Sequence, residues 1–155
     1  MSISLLLPQI IAAIDDITIT GDSDVVIKNY DGIAANWQSQ PKVLYPVPEG
    51  FITDFDIDFK TLLRGDEAPQ DVSYTLHYQY LHVEVGDLSQ FAKEWGDTLV
   101  NAVYIVNAFM GVSEPYSGAV DMEVVDVSFG PRNDPAGNMY HGADIAVRIM
   151  EMQNA

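Results

Sequence analysis

Apolar positions along the chain follow two periods. Ile3, Leu6, Leu7, Ile10, Ile11 and Ile14 recur at the 3.6-residue spacing of a helix, with Ser2 or Ser4 placed to cap it and Asp15-Asp16 at its end. They predict a short amphipathic helix. Asp87 followed by Gln90 has the form of a capping box, and Gly111 stands where a C′ glycine belongs. Between them Phe91, Trp95, Leu99, Ala102, Val106, Phe109 and Met110 predict a long helix over Leu88 to Met110. That stripe turns Trp95 and Leu99 toward a sheet and Lys93, Glu94, Asp97 and Asn101 outward.

The strand period appears from Phe51. Phe51, Thr53, Phe55, Ile57 and Phe59 alternate with Ile52, Asp54, Asp56, Asp58 and Lys60, which predicts a half-buried strand with its aromatic set inside and its carboxylates accessible. Val72, Tyr74, Leu76, Tyr78 and Tyr80 share one face, after which the parity shifts to Leu81, Val83 and Val85. A long strand with a bulge or twist near Tyr80 accounts for this. Two further strands are expected near 119–129 and 140–152, joined by a hairpin loop over 130–137. The earlier segment mixes β-branched residues with the turn Gly21-Asp22-Ser23-Asp24, giving a strand near Val25 to Lys28. Pro and Gly then confine regular structure in 29–50 to an extended piece around Lys42 to Val47. The whole, residues 1–155, reads as one α+β domain: a mostly antiparallel sheet with one long and one short N-terminal helix on one face.

Charge narrows the function. Asp and Glu number 23 against 7 Lys and Arg, a formal net charge of -16, while 48% of residues are hydrophobic. The chain is too rich in core-forming side chains for an acidic disordered tail. Scattered cations without a cluster exclude a direct grip on nucleic acid, and the same charge opposes docking on anionic membranes. No apolar run reaches the roughly 20 residues of a spanning helix. The start of the chain lacks the basic lead and cleavage site of a signal peptide. Absence of cysteine excludes disulfides and thiolate chemistry.

Candidate chemistry is sparse. Asp54, Asp56 and Asp58 would stand roughly 7 Å apart along one strand face, close enough for two to share a hard cation. The calcium-loop pattern nevertheless fails, because Phe59 and Gly65 occupy the positions that require Gly and Glu. A solvated or inter-subunit acidic face is the expectation. His77 and His82 should point to opposite strand faces, and no motif spacing joins either, or His141, to a carboxylate. Phosphate loops, dinucleotide fingerprints and nucleophile elbows do not occur. No enzyme, metal or cofactor site is expected. Arg64-Gly65-Asp66 matches an adhesion tripeptide within a polar loop, where loop chemistry suffices. Tyr74, Tyr78 and Tyr80 with Trp37 and Trp95 offer either a stacking platform for a small ligand or a sheet core under the long helix; the core is the expected reading.

The segment from Pro135 to Met152, a glycine-containing turn followed by Gly142-Ala143-Asp144, an alternating strand and the acidic Glu151, resembles the C-terminal strand of tail terminator proteins of long-tailed bacteriophages. The order of elements over about residues 3 to 152 is similar too, with a longer segment from Gly21 to Gly50. The resemblance implies a non-catalytic virion protein at the tail-neck junction, assembled in the host cytoplasm. It implies a hexameric ring that caps the tail tube protein, stops its elongation and joins the head connector or stopper protein, with DNA passing through without specific binding. Another head-completion or neck protein is the alternative. Asp54, Asp56, Asp58, Arg64, Asp66, Glu67, Arg132 and Asp134 are the expected assembly or channel surface, with Arg64 and Arg132 as loop cations facing acidic groups of a neighbouring subunit.

Overall fold

The computed structural model describes residues 5–15, 17–20, 26–29, 42–47, 50–59, 70–86, 91–112, 119–133 and 137–153. In chain order the elements are α1 (Leu7–Asp15), β1 (Thr18–Thr20), β2 (Val26–Asn29), β3 (Val43–Pro46), β4 (Ile52–Phe59), β5 (Gln70–Glu84), α2 (Phe91–Val112), β6 (Val120–Asn133) and β7 (Met139–Gln153). The strands form one seven-stranded sheet in the order β1-β2-β3-β5-β7-β6, with β4 also paired to β5. Among the described strands only β2 and β3 run parallel. The fold is α+β, as the two periodicities predict.

β5 is the axis of the sheet because both of its edges are used along its length. β7 pairs one edge from Gln70 to Glu84, while β4 and β3 divide the other edge between its two halves. His77 marks the changeover: its carbonyl accepts from Val47 N and its N–H donates to the Phe51 carbonyl. Val72, Tyr74, Leu76, Tyr78 and Tyr80 are all buried on the helix-facing side, with Val147, Ile149 and Ile145 of β7, Ile10 and Ile14 of α1, and Ile105 and Phe109 of α2. This places the three tyrosines in the core, while Trp95 is half-buried and Trp37 lies outside the described residues. Tyr74, Tyr78 and Tyr80 have no face left on which a ligand could stack, and Tyr78 packs against Phe51 and Phe109 with ring centroids 5.4 and 5.2 Å apart. A smaller cluster of Val43, Tyr45, Leu81 and Tyr140 is buried on the opposite face. No helix among the described residues is long and apolar enough to cross a membrane.

The parity shift in β5 is a bulge. Leu81 pairs Gly142 and Val83 pairs His141, so His82 is the extra residue. A second bulge falls where regular alternation is expected. In β4, Thr53 pairs Thr75 but Asp56 pairs Ser73, so Asp54 and Phe55 together oppose Tyr74, and Asp54 takes a φ of 55°. The register on the two sides of the bulge therefore differs by one residue, and the expected buried set splits. Phe55 is 50% exposed, stacked flat on Tyr74 rather than inserted, while Phe51 and Ile57 are partly buried. Asp54 and Asp56 are exposed, as expected.

The long helix forms, and its inward face is the expected one only in part: Ala102 and Phe109 are buried and Trp95 meets His141 of β7. Thr98, Asn101, Ala102, Ile105 and Phe109 are buried, whereas Leu99 is 51% exposed and Asn101 only 1%. A stripe drawn through the apolar residues misleads here because α2 carries apolar residues on both sides. Its polar inward positions are satisfied locally, with Thr98 Oγ1 donating to the Glu94 carbonyl at 2.6 Å and Asn101 Nδ2 to Tyr80 Oη at 3.0 Å. Gly111 lies inside the helix rather than after it. The expected capping residues, Asp87 and Gln90, lie outside the described residues. Asn101→Asp, harmless on the expected face, should instead lower stability by about 3 kcal/mol in a denaturant titration, because it brings a carboxylate into a buried site beside Glu94 and Asp97.

β6 extends to Asn133, so the first half of the expected hairpin loop, 130–133, is strand. Arg132 is therefore no exposed loop cation. Its Nε lies 3.1 Å from Asp144 Oδ1, as an ion pair whose N–H does not point along that line, and its terminal nitrogens donate to the Pro131 and Ser128 carbonyls. Its stem crosses Gly142, where a Cβ would also run into the Tyr80 carbonyl oxygen. Gly142→Ala should cost about 2 kcal/mol, read as a lower denaturation midpoint, because a backbone atom rather than a flexible tip must move.

Candidate functional site

Three surfaces or clusters carry the chemistry. The first is the sheet face turned away from the helices. Cross-strand register places Asp71, Ser73 and Thr75 of β5 on it, with Arg148 and Met150 of β7 and Asp121 and Glu123 of β6. Two shallow depressions flank Arg148, one lined by Asp54, Asp56, Ser73, Tyr74 and Thr75, the other by Asp121, Glu123 and Met150. Of the expected surface residues, Asp54 and Asp56 are brought together here. The bulge removes the even spacing that a carboxylate ladder would need, and a guanidinium shares the depression, so the strand offers an acidic surface rather than a cation cage. Asp58 stands opposite Asp71 in register. Arg64, Asp66, Glu67 and Asp134, and with them the Arg64-Gly65-Asp66 tripeptide, lie outside the described residues.

The second is the outer face of α2. Leu99, Val100, Val103, Tyr104 and Met110 are all at least 40% exposed, and no Asp, Glu, Lys or Arg occurs between Thr98 and Val112. Around a helix these five residues cover the side opposite Thr98, Asn101, Ile105 and Phe109. Val125, Phe129 and Met139, on the β6–β7 hairpin, are likewise exposed. Single exposed apolar residues are ordinary, but a contiguous helical strip on so acidic a protein is a candidate interaction surface.

The third is a polar cluster where the start of α2 crosses β5 and β7. The bulge turns His82 toward the helix, and the ring is 3% exposed. Tyr80 Oη lies 2.6 Å and Asn101 Nδ2 3.3 Å from its Nδ1, and Glu94 Oε2 lies 3.5 Å from its Nε2. Since Asn101 donates to Tyr80, the tyrosine donates to Nδ1, which leaves the proton of the neutral ring on Nε2 facing Glu94. Burial, aided by Lys42 and partly opposed by Asp97, pushes the His82 pKa down to about 4. Burial raises the Tyr80 hydroxyl above the usual tyrosine range and lowers His141, whose ring meets Trp95 edge to face at 4.7 Å. His77 lies on the other face, 2.6 Å from Thr53 Oγ1. The histidine-carboxylate proximity has no motif in the sequence, because it is made by packing a helix on a bulge; the signal that could have found it is Glu94 and Asp97 at i, i+3 spacing.

In comparison with known proteins, no family model matches the sequence and no curated protein is significantly similar to it.

Proposed function

We propose that the protein is a structural assembly subunit, a ring-forming tail terminator of a long-tailed bacteriophage that caps the tail tube and provides the face on which the head connector docks. The observation that carries this reading is the uncharged apolar strip on the solvent side of α2, which gives a strongly acidic chain one place where copies can meet without like-charge repulsion. A ring needs two different patches on each subunit, because head-to-tail contacts close on themselves only when unlike surfaces meet. The α2 strip and the exposed Val125, Phe129 and Met139 of the hairpin supply two. The acidic open face suits a channel through which DNA moves without being held. The resemblance of the element order to that of tail terminator proteins also supports the reading.

The test is polymerisation of tail tube protein with and without the chain. Tubes of limited length carrying a ring at one end support the reading. Binding to the head connector with no effect on tube growth would favour the neck-protein alternative, and indifference to both would remove the assembly reading.

A further inference from the structure

We propose that His82, Glu94 and Asp97 form a binding site for a divalent transition-metal ion of the zinc class, which fastens the first turns of α2 to the bulge of β5. One atom from each residue, an imidazole nitrogen and two carboxylate oxygens, lies within 4.8 Å of the others. Bonds of about 2.0–2.2 Å in a tetrahedral arrangement require donors about 3.5 Å apart. Rotation of the Glu94 and Asp97 side chains, 26% and 35% exposed in the first two turns of α2, would bring the donors to that spacing.

The independent observation is the setting of the imidazole. His82 is buried and its inner nitrogen is held by Tyr80 and Asn101, while its outer nitrogen points at Glu94 from 3.5 Å, too far for a full hydrogen bond. Metal-binding histidines have this form, one nitrogen fixed from behind and the other presented. For Nε2 to bind an ion, the ring must carry its proton on Nδ1. The network permits this without gaining or losing a proton. Turning the Asn101 amide over places Oδ1 where Nδ2 lies, so that Nδ1–H donates to Tyr80 Oη and the tyrosine donates to Asn101.

Lys93, 3.1 Å from Asp97, is the ion's competitor, and an exposed i, i+4 pair of that kind yields easily. A net charge of -16 raises the local concentration of cations. The nitrogen donor selects zinc, cobalt or nickel over calcium and magnesium, and three protein ligands leave a position for water.

The experiment uses the full chain freed of metal with a chelator, dialysed against zinc chloride in excess magnesium so that ordinary surface carboxylates are already occupied. One zinc ion per chain, a higher melting temperature, and visible absorption bands on replacement by cobalt are expected. Asp97→Asn, at a half-exposed position that the fold does not need, should weaken binding by more than the roughly ten- to hundredfold typical of lost supporting contacts, and Tyr80→Phe by about tenfold. The double variant Asp54→Asn, Asp56→Asn should bind as the wild type does. Zinc displaced by magnesium, or binding unchanged in Asp97→Asn, would overturn the site. His82→Gln, if it folds, should bind no zinc in excess magnesium; retention would likewise overturn it. These outcomes are independent of ring formation.

Discussion

Replacing Glu151 with alanine is expected to destabilise the domain by about 3–5 kcal/mol, a large part of the stability of a chain this size. Its carboxylate is 1% exposed and accepts from the Tyr74 hydroxyl at 2.7 Å and from Leu6 N at the entrance to α1. A residue of the last strand thereby holds the first helix against the central strand, and its charge lies at that helix's positive end. Alanine would leave the buried Tyr74 hydroxyl and the part-buried Leu6 N–H without that acceptor. Glu151→Gln retains one acceptor and should cost less, an ordering that denaturant titrations of both variants would check. If neither variant shifted the midpoint, Glu151 would be no anchor.

The same contact sets an alkaline limit. Burial, then the hydrogen bond and the charge of Glu151, raise the Tyr74 hydroxyl above its ordinary value of 10.0. A group whose folded pKa is raised contributes stability that is complete below the unfolded pKa and is lost as pH rises past it. Melting temperature should therefore fall progressively as pH rises above about 10, and Tyr74→Phe should show a shallower fall over that range.

How much of this is legible in the sequence differs from element to element. The central strand is legible because Val72 to Tyr80 alternates without a break and its change of parity calls for a bulge or twist, which the structure shows as a bulge at His82. α1 is legible because one side of a helix holds all its large apolar residues. The bulge at Asp54 and Phe55 is not, because nothing in a regular alternation says that one residue will be left over; the partner strand sets it. The rotation of α2 is hidden for a related reason. When both sides of a helix are apolar, the hydrophobic pattern alone does not choose the buried one, and Thr98 and Asn101 go inside because Glu94 and Tyr80 offer them partners. Glu151 is beyond reach, and of the His82 cluster only the Glu94–Asp97 spacing is readable, since each joins residues that only the assembled sheet and helices bring together.

The second large effect concerns assembly. Leu99 and Val103 are the most exposed members of the α2 strip, at 51% and 53%, and neither contributes to the core. Leu99→Glu with Val103→Glu should leave the melting temperature of the monomer nearly unchanged, as for surface positions generally. Two charges at the centre of an interface, met by an acidic neighbour, should abolish association. Moderate salt should strengthen the wild-type oligomer by screening the remaining repulsion, and should not rescue the variant, whose buried charges are not screened.

Sedimentation of the wild type and of this double variant across salt concentrations, alone and with tail tube protein, tests the central claim most directly. The account predicts a wild-type species of ring mass that sharpens with salt or on the tube, and a folded double variant that stays monomeric throughout. A wild type that remains monomeric under every condition and leaves the tubes untouched, or a double variant that assembles as well as the wild type, would contradict it.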